Sequence, residues 1–416
     1  MSRSATRRAL TTVIAGTLLT LAHMASSESL LDVYEIALDN DAQLRAETAR
    51  YRADLELKTL SLAPLLPQVR AGASRALRDS QNTRLTITEF QGGQVVIDDV
   101  TNGSRTFTNN YDISLSQTLF DLSAWFDWKA GSNRSDQAAS TLAAAQQNLI
   151  VRVSEAYFGV LRAQDNLSAA KAQERALSRQ LEQTRQRFNV GLIAITDVYE
   201  AEARHDLAGV TQIIEENNVA VARERLSVLT GQAHGQLRLL SSEFIPETPT
   251  PTDRAAWVDF ALANNFELAA SRHAEEAARQ TAKSRQMGRL PTVSAQINYS
   301  ESDTDGEVTP PTAFNLPPRS EGENESFQIR LDLPLYAGGA ISANRRRAAE
   351  QFNAARETRI NLTRNTVTAA RSLHMTVMSD VARVNARKRA IKSTQSALDA
   401  TTAGHAVRTR NIVAVR

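Results

Sequence analysis

Apolar residues recur at every seventh position through the middle of the chain, in two parallel series. One series is Val153, Val160, Leu167, Leu181 and Phe188, interrupted by Glu174; its companion is Leu142, Leu149, Ala156, Ala163, Ala170 and Leu177. A heptad pattern sustained over this length is typical of a coiled coil and not of an ordinary globular helix. It predicts one helix from about Ser123 to Phe188, and about 66 residues at 1.5 Å each make a rod of roughly 100 Å.

A short connection separates this helix from a second helical pattern, which runs from Thr196 to about Leu229. Gly191 can adopt the left-handed conformation that ends a helix. We expect Thr196 to be the N-cap of the second helix and Asp197 to lie where the helix dipole favours negative charge. The short connection predicts that the two helices are antiparallel neighbours.

Alternation with a period of two predicts four strands. Apolar and polar residues alternate over 68–78, 106–119, 292–302 and 324–335, and polar loops are predicted at 79–105 and 303–323. Alternation alone favours a soluble sandwich, but the strand lengths also suit transmembrane strands, which need about 9–11 tilted residues. The export signal and the attached long helices favour the membrane. Since small closed barrels begin near eight strands, the chain must then oligomerise.

The chain reads as two copies of one unit. Leu66-Pro67-Gln68-Val69 matches Leu290-Pro291-Thr292-Val293, and residues 37–44 match residues 261–268. Each copy contains a helix (about Leu30–Leu65 and Asp253–Arg289), a strand, a loop, a second strand and a long helix. We therefore predict a first structural repeat at 26–242, a proline-rich linker at 243–252 and a second repeat at 253–416.

Residues 1–25 have the pattern of a secretory signal peptide. Arg3, Arg7 and Arg8 precede an apolar run from Leu10 to Ala22. No other stretch reaches the roughly 18 apolar residues of a membrane-spanning helix.

Composition excludes several function classes. A net charge of +2 argues against a nucleic-acid partner, and the absence of cysteine excludes disulfides and thiolate metal sites. The six histidines are scattered without a metal-binding pair, and no phosphate-cradling loop is present. We therefore expect no enzyme activity, no cofactor and no metal.

The stretch Phe188-Asn189-Val190-Gly191-Leu192, followed by Thr196-Asp197-Val198, resembles the TolC family of outer-membrane efflux and secretion channels, as do the Leu-Pro strand starts and the two-fold repeat. The resemblance spans essentially everything after the signal peptide. It implies an α+β fold, mainly long coiled-coil helices, with four strands per chain contributed to a 12-stranded transmembrane β-barrel in a homotrimer. It further implies outer-membrane lipid around the barrel, helices in the periplasm, and a periplasmic adaptor and an inner-membrane transporter as partners.

The resemblance also assigns site residues. The family's adaptor-contacting turns correspond to Val190, Gly191 and Leu192 and to Val407, Arg408 and Thr409, where arginine replaces the family's glycine. The family's gate corresponds to Asp197, Arg410 and His405, of which Asp197 with Arg410 is the best ion-pair candidate; histidine stands where the family has tyrosine. A helix-start carboxylate and a solvated arginine are the simpler interpretation of the same two residues.

The second repeat lacks the returning helix that the first repeat has at 196–229. This predicts a C-terminus shortened relative to the family, and either poor trimer assembly or a non-functional channel. The other alternative is a soluble periplasmic coiled-coil adaptor or scaffold protein. The cargo and the partner pump are open at this stage.

Overall fold

The computed structural model describes residues 27–91, 94–241, 243–309 and 317–406. The predicted signal peptide therefore lies outside the described residues. Among those residues, no helix combines the length and the apolar character needed to cross a membrane. The described residues form seven α-helices, a short 3-10 helix and one four-stranded antiparallel sheet, so the predicted α+β class is confirmed.

Two short helices precede each strand pair, where one longer helix was predicted. α1 (Leu30–Asn40) and α2 (Ala42–Leu62) are separated by Asp41. α5 (Arg254–Asn264) and α6 (Phe266–Met287) are separated by Asn265. Both separating residues have extended backbone angles. The prediction was wrong because short polar side chains can bond to nearby backbone groups outside helical geometry: the Leu44 N–H donates to Asp41 Oδ1 at 2.6 Å.

The three long helices agree with the heptad prediction. They are α3 (Leu122–Asn189), α4 (Ile195–Thr230) and α7 (Ala340–Ala406). Leu149, Val153 and Val160 of α3 are fully buried. On α7, the apolar residues that recur at every seventh position are instead 37–69 % exposed, namely Val377, Val384, Ile391 and Leu398.

The sheet has longer strands than predicted. β1 (Gln68–Gln91) pairs with β2 (Gln94–Phe120), which pairs with β3 (Thr292–Thr309), which pairs with β4 (Ser320–Asp332). The described parts of the loops predicted at 79–105 and 303–323 are therefore largely strand, over 79–91, 94–105, 303–309 and 320–323. The prediction was wrong because the polar composition of these segments was interpreted as typical of loops. Alternating polar residues are equally compatible with a strand that has one face exposed to water.

The two faces of the sheet differ in polarity. One cross-strand row is Val69, Leu115, Ile297 and Phe327; the adjacent row on the opposite face is Arg70, Ser114, Asn298 and Ser326. The apolar face is uncovered, with side chains 48–69 % exposed at Val69, Ile113, Ile297, Phe327, Ile329 and Leu331. A soluble sandwich would bury this face, but no other described element of the chain covers it.

The chain divides into two compact units. In the first, which comprises residues 1–51, 140–267 and 365–416, α1, α3 and α4 share one apolar cluster that includes Val33, Leu149 and Leu226. Arg152 of α3 donates to both carboxylate oxygens of Asp41 at 3.0 Å. This pair holds the α1–α2 break against α3.

The second unit comprises residues 52–139 and 268–364 and contains the sheet. Here the start of α3 packs on the end of α6. The Ser123 and Ser284 hydroxyls are 2.9 Å apart, and Arg285 forms an ion pair with Asp127 at 3.4 Å.

Candidate functional site

The turn between α3 and α4 has the geometry of a helix-ending Schellman motif. The Leu192 N–H donates to the Arg187 carbonyl at 2.9 Å, and the Gly191 N–H donates to the Phe188 carbonyl at 2.8 Å. Gly191 has φ +77°, the left-handed conformation predicted for it. The two bonds satisfy carbonyls that the end of α3 would otherwise leave without donors.

The start of α4 differs from the prediction. The helix begins at Ile195, and its N-cap is Ala194, whose side chain makes no cap bond. Thr196 is therefore a helical residue. The prediction failed because the extended backbone needed at an N-cap falls two residues earlier, where the chain leaves the turn.

A small apolar cluster fixes the turn in place. Leu181 of α3 packs with Val198 and Ala201 of α4, and all three are at most 9 % exposed. Arg185 and Glu202 form an ion pair across the same two helices at 3.2 Å. The hairpin is therefore held a few residues from its tip.

The tip itself presents apolar side chains to solvent. Val190 is 70 % exposed and Leu192 is 68 % exposed, on either side of Gly191. Exposed aliphatic side chains on a rigid turn suit an interaction with another protein.

The predicted gate residues are only partly described. Asp197 lies exposed in the first turn of α4 and has no ion-pair partner among the residues the structure describes. His405 lies in the last turn of α7. Val407, Arg408, Thr409 and Arg410 lie outside the described residues, so the structure brings together Val190, Gly191, Leu192 and Asp197 alone.

Family comparison decides the identity of the protein. The family described as "Outer membrane efflux protein" matches residues 33–232 and 257–416. The chain belongs to the outer membrane efflux protein family. Membership places the chain in the outer membrane as part of an efflux or secretion channel and not in a class of enzymes. It does not favour the soluble scaffold.

Individual relatives support the same family assignment. The outer membrane protein TolC of Vibrio cholerae is 32 % identical over 400 residues, which cover 95 % of this chain and 85 % of TolC. The alkaline protease secretion protein AprF of Pseudomonas aeruginosa is 29 % identical over 402 residues, which cover 95 % of this chain and 79 % of AprF.

Comparison with a solved structure shows that the fold is similar as well. The crystal structure of the CmeC outer membrane channel of Campylobacter jejuni matches with a TM-score of 0.70 at 16 % identity. The match covers 93 % of this chain and 78 % of CmeC. The long helices and the four-stranded sheet are thus a fold that this efflux family shares with known channels.

The geometry of Gly191 predicts opposite effects for two Gly→Ala substitutions. At Gly191, alanine would occupy the left-handed region, which costs an L-residue about 1–2 kcal/mol. No atom lies within 4 Å of its Cβ, so the cost is purely conformational. At Gly209, inside α4 and equally open, alanine should instead stabilise the helix by about 0.5–1 kcal/mol.

Thermal unfolding followed by the helical circular dichroism of each variant measures both effects. Gly191→Ala should lower the melting temperature and Gly209→Ala should raise it. Equal shifts of the same sign would contradict the conformational explanation.

Proposed function

We propose that three copies of this chain close their sheets into one 12-stranded transmembrane β-barrel, and that the long helices continue it as a periplasmic tunnel for efflux or secretion. The observation that carries the proposal is the uncovered apolar face of a sheet whose two edge strands, β1 and β4, each have an outer edge with no partner among the described residues.

The unpaired edges explain why closure needs other copies. The strand order is β1-β2-β3-β4, so β1 and β4 lie at opposite edges. In lipid, each unsatisfied backbone group costs several kcal/mol, so an open edge is not stable there. Alternate strands run in opposite directions, so β4 of one copy can pair antiparallel with β1 of the next. Three copies then give an even-numbered barrel.

The two faces suit this arrangement. The row of Val69, Leu115, Ile297 and Phe327 would face lipid, and the row of Arg70, Ser114, Asn298 and Ser326 would face a water-filled lumen. The apolar row of β3 runs from Val293 to Tyr299 and rises about 20 Å, or roughly 15 Å when tilted, which spans more than half of the apolar band of about 25 Å in such barrels.

An internal duplication underlies the proposed symmetry. Both halves of the chain contain two short helices, two strands and a long helix in the same order. The family also matches the chain in two segments. We assign the copies to 26–242 and 253–416, with 243–252 as the linker; residues 243–252 form neither helix nor strand.

The turn of Val190, Gly191 and Leu192 is proposed as one contact for a periplasmic adaptor protein. The exposed apolar pair at a rigid tip supports this role. Val407, Arg408 and Thr409 are proposed as the second contact. We propose that the gate is formed by Asp197 and Arg410, with His405 beside them. Asp197 has no ion-pair partner among the described residues, so it is available to pair with Arg410.

Cargo and partner follow by analogy with the relatives. One relative is named for protease secretion and another, BepC of Brucella suis, is named an outer membrane efflux protein. We propose that this chain works with an inner-membrane transporter and passes cargo without chemistry.

Two experiments test channel formation and transport separately, the first in planar bilayers and the second in cells. The purified chain should form discrete ion-conducting channels in planar bilayers and should restore drug resistance or protease secretion to a Gram-negative strain lacking its own channel. The double variant Val190→Asp/Leu192→Asp should conduct normally but fail to restore transport, because only adaptor docking is lost. A chain that neither conducts nor enters the outer membrane would refute the proposal.

A further inference from the structure

A compact group of aromatic and cationic side chains lies where the helices meet the sheet. The lysine–aromatic cluster consists of Trp125, Phe126, Trp128 and Lys129 of α3, with Lys283 of α6. The Trp125 and Trp128 rings lie 4.9 Å apart. Lys129 Nζ lies 5.7 Å from the Trp125 ring centroid and 5.9 Å from that of Phe126; Lys283 Nζ lies 5.7 Å from the Phe126 centroid.

Neither lysine of the cluster forms an ion pair within 4 Å among the described residues. The nearby carboxylates make closer pairs with arginines: Asp127 pairs with Arg285 at 3.4 Å, and Glu276 pairs with Arg279. Burial raises the pKa of Glu276, and Lys283 interacts with this carboxylate only through the longer-range attraction of its charge, which helps to lower that pKa. Lys129 is exposed and Trp125 is 43 % exposed, so the cluster offers both positive charge and an aromatic surface to the outside.

The cluster is continuous with one end of the apolar sheet face. α3 begins two residues after β2 ends at Phe120, which is itself 46 % exposed on the apolar face. Lys129 lies nine positions after Phe120, the last residue of β2, and Lys283 lies nine positions before Thr292, the first residue of β3, so both lysines are close in sequence to the strand ends. Lysine side chains can extend back toward an interface along their apolar stems.

The opposite end of the same face carries mainly negative charge, although Arg75 of β1 lies in the same cross-strand row as Asp303. Beyond Tyr111 and Tyr299, the apolar row gives way to carboxylates, with Glu301 opposite Glu323 and Asp303 opposite Glu321. Phosphate-bearing headgroups would therefore be attracted at the helix end of the face and repelled at the far end.

We propose that the lysine–aromatic cluster binds the phosphate headgroups of anionic phospholipids in the leaflet that borders the helix end of the sheet. The inference rests on the proposed transmembrane sheet. The exposed Trp125 suits the depth of the headgroups, where a tryptophan ring is in the apolar layer and its edge is wet, whereas the indole nitrogen of Trp128 is buried. Each lysine close to an anionic lipid surface contributes attraction equivalent to about fivefold in occupancy. Together they fix both the depth and the lipid preference of this end of the barrel.

The tryptophans themselves provide the measurement. The chain has three, and Trp257→Phe leaves Trp125 and Trp128 as the reporters. The full-length variant is reconstituted in phosphatidylcholine vesicles in which a tenth of the lipid carries bromine on its acyl chains, attached either to phosphatidylglycerol or to phosphatidylcholine. Brominated phosphatidylglycerol should quench the fluorescence several-fold more than its mole fraction predicts, and brominated phosphatidylcholine should not.

Matched variants distinguish lipid binding by the lysine–aromatic cluster from a general attraction of anionic lipid to the protein's positive charges. Lys129→Gln/Lys283→Gln should abolish the excess quenching, and Lys129→Arg/Lys283→Arg should retain it. The control Arg387→Gln/Lys388→Gln removes two exposed cations of α7 in the other unit and should change nothing.

Each remaining outcome is decisive. Equal quenching by the two brominated lipids, or an excess that survives the double glutamine variant, overturns the headgroup site. Loss of the excess on adding millimolar inorganic phosphate would show a site for free anions and would also overturn it. No quenching by either lipid would place the tryptophans outside the bilayer and would instead contradict the transmembrane sheet.

Discussion

Arginine in place of Ile297 is expected to prevent stable insertion of the protein into the outer membrane. Ile297 lies within the apolar row between Val293 and Tyr299 and is 48 % exposed in the isolated chain. An arginine near the bilayer midplane on the lipid face of a barrel costs about 2–4 kcal/mol. In the proposed trimer, three copies would multiply this to roughly 6–12 kcal/mol per barrel.

The matched control is the next residue. Gln296→Arg introduces the same charge at the same depth on the opposite face, where its cross-strand neighbours are Ser116 and Gln328. It should insert normally, because a water-filled lumen solvates the charge. Immunoblots of urea-washed outer-membrane fractions measure both variants. Equal levels of the two proteins would show that the faces are not lipid and lumen.

Removal of the Asp41 carboxylate is expected to destabilise the helical unit by about 3 kcal/mol or more. The Asp41 side chain is 4 % exposed and receives two bonds from Arg152, which is 25 % exposed. Asp41→Ala leaves the guanidinium partly buried without its partner and removes the acceptor for the Leu44 N–H. The exposed Arg383–Asp380 pair of α7 is the control, since Asp380→Ala should change stability by less than about 1 kcal/mol.

A double variant separates pairing from packing. Asp41→Ala/Arg152→Met removes both charges and should recover much of the stability lost in Asp41→Ala, because no uncompensated charge is left. Chemical unfolding followed by helical circular dichroism gives the free energies. A double variant as unstable as the single one would mean that the cost lies in the lost cap or in packing.

The Asp41–Arg152 pair should also make the stability of the helical unit sensitive to acid. Burial raises the pKa of Asp41, but the Arg152 guanidinium and the Leu44 and Gln43 N–H groups outweigh burial and hold that pKa below its ordinary value of 3.8. Because the folded state then binds the proton less well than the unfolded state, the stabilisation is complete above that ordinary value. It is lost as pH falls through the lowered pKa. The Asp41→Asn variant should show a flatter decline of stability below about pH 4.

The features predicted correctly from sequence were those with local physical causes. The heptad spacing of Val153 and Val160 requires one long helix, and Gly191 can end it because glycine adopts a left-handed backbone cheaply. The strand starts after Pro67 and Pro291 were likewise local signals. The repeat boundaries and the gate residues remain predictions.

The features that could not be predicted from the sequence depend on residues far apart in the chain or on the solvent around the protein. Asp41 and Arg152 are 111 residues apart, so neither the helix break nor the buried pair could be inferred from neighbours in sequence. Residues 79–105 are polar enough for a loop, and their strand structure depends on pairing between β1 and β2 and with β3. Whether Ile297 and Phe327 face a core or lipid depends on the solvent around the sheet, which alternation does not specify.

Cross-linking of the two sheet edges tests most directly whether separate copies close one barrel. The chain has no cysteine, so introduced pairs report without background. Ala71→Cys on β1 is combined in turn with Phe327→Cys, Ile329→Cys and Leu331→Cys on β4. Within one chain β2 and β3 separate these strands by about 14 Å, too far for a disulfide, so any bond must join two copies. Ala71→Cys with Ile297→Cys on β3 is the control that should not cross-link.

Oxidation of the membrane-embedded protein should give, in at least one β4 register, dimer and trimer bands and nothing larger. The absence of cross-links in every register, or a ladder that continues past three chains, would contradict the closed trimeric barrel.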